Sequence, residues 1–265
     1  MDIHTTVKLS SGHEMPLLGL GVFQIEDEDA CRNAVRAALD CGYRHIDTAA
    51  VYENERSVGR AIAESDVDRE DIFVTTKVFI RDFGPEKTRQ AFEASRSKLD
   101  MDYVDLYLIH WPVDETMMDA WEAMQALRDE GKIRSIGVSN FTIRRFDESF
   151  LPRTDETPAV NQVEYHPFWD RQELRDYCHA KDIRLEGYSP LVRAQRMDNP
   201  VLKDVAAGHG KSVAQVLIRW QLQQEVVVIP KSSHADRIRE NADVYDFELT
   251  DDDMRRLGEL DEGLS

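Results

Sequence analysis

Short apolar runs alternate with segments of helical periodicity along almost the whole chain of 265 residues. Eight such strand–helix units follow a leading hairpin, which is predicted where residues 10–13 separate two short apolar runs. The strands are nearly continuous apolar runs, as expected for parallel strands buried on both faces. Eight such units close into a barrel, and right-handed crossovers place the helices on its outside. We therefore predict an α/β fold, a (β/α)8 TIM barrel with an N-terminal β-hairpin, as one domain over residues 1–265.

The hydrophobic pattern also gives approximate bounds for each element. Strands are predicted at residues 18–23, 43–46, 72–76, 103–109, 133–138, 159–163, 183–186 and 226–229. Helices are predicted near residues 28–40, 53–63, 85–99, 114–129, 143–150, 171–181, 212–224, 234–241 and 250–260. Pro85 suits a first helical position, and Ser212 with Gln215 forms a capping box. No element is predicted between the seventh strand and the helix at 212–224.

Polar residues stand at the C-terminal ends of most predicted strands. They are Asp47, Lys77, His110, Ser139, Asn140, Gln162, Tyr188, Ser189, Lys231 and Ser232. Active sites in (β/α)8 barrels lie at that end of the strands. One mouth would therefore collect all of these side chains, and their convergence indicates a site more strongly than any single residue does.

Tyr52, five residues after Asp47, indicates proton transfer at this mouth. A free tyrosine has a pKa of about 10, and a neighbouring ammonium group stabilises the phenolate and lowers that pKa. Lys77 is predicted to supply the ammonium group, and Asp47 is predicted to keep it charged. His110 is predicted to hydrogen-bond a substrate carbonyl oxygen. Such a site protonates an oxygen as charge develops on it, which is what carbonyl reduction requires.

Carbonyl reduction also requires a hydride, which implies a nicotinamide cofactor. The run Gly19-Leu20-Gly21 lacks the third glycine of the dinucleotide-binding fingerprint, which argues against a Rossmann site. Barrels often bind phosphate at a short helix near strands seven and eight, where Lys231 and Arg237 form a local pair of cations. That pair suits a 2′-phosphate and predicts NADPH. The residues predicted to stack on the nicotinamide ring or to hold its carboxamide are Tyr188, Ser139, Asn140 and Gln162.

Composition and charge exclude several classes of partner. The net charge of −18 argues against nucleic acid, because phosphate backbones need a basic surface. The same charge suits either an ordinary solvated surface or high salt, where ions screen self-repulsion. No apolar segment approaches the ~18 residues that span a membrane. The polar N-terminus and three widely spaced cysteines predict a cytoplasmic protein with free thiols, and no Cys/His cluster has metal-ligand spacing. We expect a monomer.

Several stretches, in order along the chain, resemble signatures of the aldo-keto reductases. They are residues 42–49 with Tyr52, Asn54 and Glu55; residues 106–112; residues 137–141; Asn161 with Gln162; and residues 229–232 with Arg237, Ile238, Glu240 and Asn241. The likeness is greatest to the compact bacterial and archaeal members, such as the 2,5-diketo-D-gluconate reductases. The resemblance implies an NADPH-dependent reductase of aldehydes and ketones.

The resemblance also implies roles for individual residues. The catalytic tetrad would be Asp47, Tyr52, Lys77 and His110, with Tyr52 as the general acid. NADPH would lie along Ser139, Asn140, Gln162, Tyr188, Ser189, Leu191, Lys231, Ser232, Arg237, Glu240 and Asn241. The substrate pocket would be lined by Phe23, Phe79 and Trp111. Because the neighbouring loops are short, an open apolar cleft is expected, suited to small carbonyl, α-keto or sugar-like substrates.

Other interpretations stay open at this point. The same scaffold would also suit a cofactor-binding regulatory or partner protein with little turnover, resembling the channel-associated β subunits. A metal-dependent barrel hydrolase would need a clustered ligand set that the sequence lacks. Taken singly, Asp47 with Lys77 could be a structural ion pair, and Lys231 with Arg237 could be a solvated pair. The histidines interpreted as packing residues are His45, His166 and His179.

Overall fold

A computed structural model describes residues 1–263, and within them two sheets are present. The hairpin consists of β1 (Thr6–Lys8) and β2 (Glu14–Pro16), which pair antiparallel. Eight parallel strands follow: β3 (Leu20–Gly21), β4 (His45–Asp47), β5 (Phe73–Val78), β6 (Val104–Ile109), β7 (Ile133–Ser139), β8 (Val160–Glu164), β9 (Arg184–Tyr188) and β10 (Val227–Val228). The predicted hairpin and parallel sheet are therefore both confirmed.

The helices form the outer layer; most of them lie between successive strands, and the last two follow β10. They are α1 (Glu28–Asp40), α2 (Glu55–Ala63), α3 (Pro85–Leu99), α4 (Met117–Asp129), α5 (Ile143–Arg145), α6 (Gln172–Ala180), α7 (Pro200–His209), α8 (Val213–Leu222), α9 (Ala235–Ala242) and α10 (Asp251–Gly258). Trp121 of α4 and Trp220 of α8 are both buried in the packing of this layer. Full burial of a large apolar side chain contributes about 1.5–3 kcal/mol to stability.

The parallel sheet closes on itself where β3 meets β10. The amide of Gly19 donates to the carbonyl of Val228 at 2.9 Å, and the amide of Val228 donates to the carbonyl of Leu17 at 2.8 Å. A Cβ atom at residue 19 would lie only 2.5 Å from Nδ1 of His45 on β4, so glycine is needed at residue 19 to leave room for that side chain. Pro230 has no N–H to donate, which helps to explain why the last strand is short. The predicted (β/α)8 barrel is confirmed by this closure.

Two parts of the outer layer differ from the prediction. Helix α7 was not predicted, although Pro200 at its start and the Asn199 side chain, which accepts from the Val201 amide at 2.9 Å, are ordinary start signals. Its C-terminal residues 207–210, Ala-Gly-His-Gly, resemble a loop in composition. The helix predicted at 143–150 is one α-turn followed by a π-helical stretch, Phe146–Phe150. The wider turns let Phe146 and Phe150 both pack on Phe141, with ring centroids 5.3 Å apart in each pair.

The hairpin covers the N-terminal end of the barrel and leaves the other end free. Leu9 and Met15 of the hairpin are buried, and Ser11 Oγ lies 2.7 Å from Ser135 Oγ of β7. The three cysteines are free thiols. Within residues 1–263, no helix combines the length and apolar character needed to cross a membrane, and no cluster of side chains is arranged to hold a metal ion.

Candidate active site

Tyr52 stands on a single 3-10 turn directly after β4. The side chain of Asn54 anchors this turn, because Nδ2 donates to the carbonyl oxygens of Val22 at 2.9 Å and Ile25 at 3.2 Å. The hydroxyl of Thr48 donates to Asn54 Oδ1 at 2.7 Å. Both ends of the amide are therefore engaged, and the backbone that carries Tyr52 is tied to the loop after β3.

Asp47 and Lys77 form a buried ion pair beside this turn. Lys77 Nζ donates to the two carboxylate oxygens of Asp47 at 2.7 and 2.8 Å, and to the carbonyl oxygen of Thr48 at 2.8 Å. Lys77 is 0% exposed and Asp47 is 3% exposed. Burial acts to lower the pKa of Lys77, but the charge of Asp47 opposes it and the net pKa is raised above 10.5. Lys77 is therefore charged at neutral pH, as expected.

The ring of Tyr52 lies over Lys77, whose Nζ is 5.1 Å from the ring centroid. The expectation that Lys77 brings the pKa of Tyr52 down towards neutrality is wrong in its net direction. Burial raises the pKa of Tyr52 above 10, Lys77 lowers it, and the charge of Asp47 adds to the rise, as does that of Glu186 once Glu186 ionises above a pH of about 8. Burial of the ring and the proximity of Glu186 follow from the folded structure, and together with Asp47 they outweigh the ammonium group of Lys77. The phenol of Tyr52 consequently holds its proton at neutral pH.

His110 follows β6 and lies beside Tyr52. The two ring centroids are 5.7 Å apart, with the planes 78° from parallel. Burial, together with the charge of Lys77, lowers the pKa of His110 from 6.5 to about 3. The imidazole is therefore neutral at pH 7 and carries one N–H, which can donate to a carbonyl oxygen.

Three aromatic side chains, Phe23, Phe79 and Trp111, line the cavity beside this group. The ring centroid of Phe23 is 5.0 Å from that of Tyr52, and the centroid of Phe79 is 5.8 Å from that of His110. Phe23 and Trp111 are 47% and 46% exposed, respectively. Exposed aromatic surface at a cavity mouth is typical of a ligand-binding site.

One cavity of about 990 Å³ extends from Tyr52 across the C-terminal ends of the strands. Asp47 and His110 also line it, whereas Lys77 lies behind its wall. It is lined by all the residues predicted for the substrate, which are Phe23, Phe79 and Trp111. It is also lined by all those predicted for the cofactor, which are Ser139, Asn140, Gln162, Tyr188, Ser189, Leu191, Lys231, Ser232, Arg237, Glu240 and Asn241. The structure thus brings the predicted site residues together around a single space.

Four of these residues are linked by hydrogen bonds on one wall of the cavity. The hydroxyl of Tyr188 donates to Asn140 Oδ1 at 2.9 Å, and Asn140 Nδ2 donates to Ser139 Oγ at 3.0 Å. Ser139 Oγ in turn donates to the carbonyl oxygen of Gln162 at 2.8 Å. The wall therefore presents an aromatic ring beside oriented amide groups, which fits a flat ring that carries a carboxamide.

The other end of the cavity carries two cations, Lys231 on the loop before α9 and Arg237 in the first turn of α9. On that helix, Arg239 pairs with Asp236 at 3.0 Å, whereas Arg237 has no ion-pair partner within residues 1–263. Lys231 likewise has none among the described residues, although the protein as a whole carries a net charge of −18. Two uncompensated cations that face a cavity fit a phosphate group.

Two residues at or near this cavity were not predicted. Glu186 lies within the barrel, where Gln162 Nε2 donates to its carboxyl group at 2.9 Å. Its position two residues before Tyr188 was a usable signal, because alternate residues of a strand share one face. Arg193 lines the cavity on a loop where residues 192–194 all have positive φ, between 49° and 61°. Loops lack periodicity, so no pattern in the sequence indicated this residue.

Similarity to known proteins is extensive in both sequence and structure. The model of a family described as the aldo/keto reductase family matches residues 17–262. The glyoxal reductase of Bacillus subtilis (strain 168) is 51% identical over 259 residues, which are 98% of this chain and 94% of that protein. The 9,11-endoperoxide prostaglandin H2 reductase of Trypanosoma cruzi (strain CL Brener) is 47% identical over 262 residues, which are 98% of this chain and 92% of that protein.

Solved structures of similar proteins superpose closely. MGS-M4, an aldo-keto reductase enzyme from a Medee basin deep-sea metagenome library, gives a TM-score of 0.94 at 43% identity, covering 98% of this chain and 96% of that one. An aldo/keto reductase from Brucella melitensis gives a TM-score of 0.93 at 46% identity, covering 97% of this chain and 99% of that one.

Proposed function

The chain belongs to the aldo/keto reductase family, and we propose that it is an NADPH-dependent oxidoreductase that reduces aldehydes and ketones to alcohols, with Tyr52 as the general acid. The observation that carries the proposal is one cavity with Tyr52 and His110 at one end and the uncompensated cations Lys231 and Arg237 at the other. Small carbonyl, α-keto or sugar-like compounds are the proposed substrates. The names of two relatives, a glyoxal reductase and a prostaglandin H2 reductase, add small dicarbonyls and larger apolar compounds to the set worth testing.

In this proposal the tetrad handles the carbonyl oxygen. NADPH, when bound, supplies the hydride that adds to the carbonyl carbon. The neutral imidazole of His110 donates its N–H to the carbonyl oxygen and orients it. As negative charge develops on that oxygen, the phenol of Tyr52 transfers its proton to it, and Lys77 stabilises the phenolate that remains. Asp47 keeps Lys77 charged and in place.

The raised pKa of Tyr52 is compatible with this role. A general acid must carry its proton when the substrate arrives, and a phenol with a pKa above 10 does so throughout the physiological pH range. The acceptor is an oxygen that is becoming an alkoxide, which is a much stronger base than a phenolate. Lys77 therefore does not need to make Tyr52 acidic in the resting protein, only to stabilise its negative charge once the proton has moved.

The wall that carries Tyr188, Asn140 and Gln162 would hold the nicotinamide and its carboxamide. Lys231 and Arg237 would bind the 2′-phosphate, the group that distinguishes NADPH from NADH. Support for this assignment comes from the two cations, which have no carboxylate partner within residues 1–263 in a strongly acidic protein.

We further propose that the chain acts as a cytoplasmic monomer and folds as one domain over residues 1–265. The three free cysteines support a reducing compartment. The large apolar side chains that are most exposed, apart from Met1, are Phe23, Ile80 and Trp111. Phe23 and Trp111 line the cavity, so the substrate opening accounts for the exposure of these two side chains.

Turnover is the property that separates this proposal from a cofactor-binding regulatory protein. The purified protein is mixed with NADPH and a panel of α-dicarbonyls, aliphatic aldehydes, α-keto acids and sugar aldehydes, and loss of NADPH absorbance is followed. NADPH affinity is measured separately by quenching of tryptophan fluorescence. We expect turnover with at least one class. Binding without turnover would support the regulatory alternative, and the absence of binding would refute both.

A further inference from the structure

Glu186 is a carboxyl group wholly buried inside the barrel, close to Asp47 and Lys77. It lies on β9, in register with Gln162 of β8 and Val227 of β10, and is 0% exposed. Its Oε2 accepts a hydrogen bond from Gln162, whereas its Oε1 has no hydrogen-bond partner within residues 1–263. Burying a carboxyl group costs free energy unless it is compensated. A group of this kind beside a cavity therefore suggests a role other than stability.

The side chain of Gln162 joins Glu186 to the tetrad. Its Nε2 donates to Asp47 Oδ2 at 2.8 Å and to Glu186 Oε2 at 2.9 Å, so both hydrogens of the amide nitrogen are used. A reversed amide would place its oxygen against two carboxyl groups, and an ionised Asp47 can only accept. The orientation of Gln162 is thus fixed by chemistry. Its Oε1 accepts no hydrogen bond from the described residues, and Gln162 lines the cavity.

We propose that Glu186 is a positioning residue of the reductase site, which holds the Gln162 amide so that its Oε1 faces the cavity as the acceptor for the nicotinamide carboxamide. This inference rests on the proposed function. One hydrogen bond to Asp47 would leave the amide free to turn, because the last torsion of a glutamine side chain has only broad minima. A second acceptor, on another strand, defines the plane of the amide.

The charges around Glu186 agree with this role. The titratable groups that face it are Asp47 and His45 on β4, Lys77 on β5 and Tyr52 on the turn after β4. Burial and the charge of Asp47 raise the pKa of Glu186 to about 8. Burial and Lys77 lower the pKa of His45 to about 3. At pH 7 Glu186 is thus a neutral acid, which still accepts from Gln162 without adding a second negative charge under Tyr52.

The test compares substitutions of Glu186 that keep or remove the acceptor. Glu186→Gln retains an oxygen that can accept from Gln162, whereas Glu186→Met has a similar shape and no such oxygen. We expect Glu186→Met to weaken NADPH binding about tenfold, measured by fluorescence quenching, and Glu186→Gln to stay within about twofold of the wild type. Glu186→Leu is a second variant that lacks the acceptor, in case the methionine protein does not fold.

The control is Glu55, another wholly buried glutamate. It accepts from the hydroxyl of Thr76 at 2.7 Å on the outer side of the barrel, away from the cavity. Glu55→Met should destabilise the protein and leave NADPH affinity within about twofold. Equal weakening by Glu186→Gln and Glu186→Met, unchanged binding in Glu186→Met, or a tenfold loss in Glu55→Met would overturn the inference. Binding needs no turnover, so a wild type that binds NADPH and reduces no carbonyl refutes the reductase proposal while this comparison still stands; a wild type that binds no NADPH refutes both.

Discussion

Two buried carboxylates, one at each end of the barrel, pair with cations in different ways. At the base, Asp105 is 2% exposed and both of its oxygens are bonded: Arg69 donates to Oδ2 at 2.7 Å and Arg134 donates to Oδ1 at 2.9 Å. The amide of Val74 also donates to Oδ2, at 2.9 Å. Both guanidinium groups lie over the ring of Tyr103, at 4.3 and 4.0 Å. This cluster places two cations around one anion and takes no part in lining the cavity at the mouth.

At the mouth the charges are only just balanced. Lys77 is the single cation, paired with the ionised Asp47 and close to the neutral Glu186, and three polar atoms near it are buried without a hydrogen-bond partner among the described residues. They are Nδ1 of His110, Nδ1 of His45 and Oε1 of Glu186. A well-compensated cluster serves stability, whereas an under-compensated one next to a cavity is poised for chemistry. A buried carboxylate paired with a cation therefore stabilises the fold at the base and serves the proposed chemistry at the mouth.

Replacing one cation at each end should give the largest difference, both in the free energy of unfolding and in kcat. Lys77→Met leaves Asp47 buried without its partner, so we expect a loss of about 3–5 kcal/mol in the free energy of unfolding and at least a ~100-fold fall in kcat. Arg69→Met leaves Asp105 bonded to Arg134 and Val74, so we expect a loss of about 1–3 kcal/mol and a kcat within about twofold. Urea unfolding and steady-state NADPH consumption measure the two effects. Similar losses of kcat in both variants would remove the distinction between mouth and base.

The cations of α9 allow a second contrast within a single helix. Arg237→Ala should weaken NADPH binding by roughly 10- to 100-fold and NADH binding little, because a charge-assisted hydrogen bond to the 2′-phosphate contributes about 1.5–3 kcal/mol. Arg239→Ala, on the same helix but paired with Asp236, is the matched control and should change neither affinity. Titrating each variant with NADPH and with NADH measures the two affinities. An equal loss for NADPH and NADH in Arg237→Ala would refute the phosphate assignment.

The smallest expected effect is a pH dependence that only the mouth should show. The pKa of Glu186 is about 8 in the folded protein against an ordinary value of 4.5, so between these pH values the folded state binds more protons and stability falls as pH rises. His45 and His110, with folded pKa values of about 3 against an ordinary value of 6.5, add only a smaller opposing rise above pH 7. From pH 7 to 8 we expect the free energy of unfolding to fall by about 1 kcal/mol. A flat profile in Glu186→Gln, measured by urea unfolding, would support this assignment; an identical slope would contradict it.

The sequence predicted the barrel and the residues around its mouth because both depend on local patterns. Strands with continuous apolar character, each ended by a residue such as Asp47 or Lys77, indicate parallel strands whose C-terminal ends meet. Helix α7 was missed because its last turn is rich in glycine and alanine, although Asn199 and Pro200 mark its start. Local patterns therefore gave the order of the elements more reliably than their number.

The electrostatics could not be predicted in the same way. The direction of the pKa shift of Tyr52 depends on how deeply the ring is buried and on Glu186, a residue 134 positions away in the sequence. Both depend on the folded barrel, because side chains of β4 and β9 face the same interior only after the sheet has closed. Glu186 itself was missed because its spacing from Tyr188, which places both on one face of the strand, does not show which buried partners surround it.

The central claim is that Tyr52, held over Lys77 at the open end of the barrel, gives its proton to the carbonyl oxygen. It is tested most directly by Tyr52→Phe, which removes the hydroxyl and keeps the ring, with kcat measured on the best carbonyl substrate and NADPH affinity measured on the same preparation. We predict a fall in kcat of at least about 100-fold with NADPH affinity within about twofold of the wild type. A Tyr52→Phe protein that turns over at the wild-type rate would contradict the account.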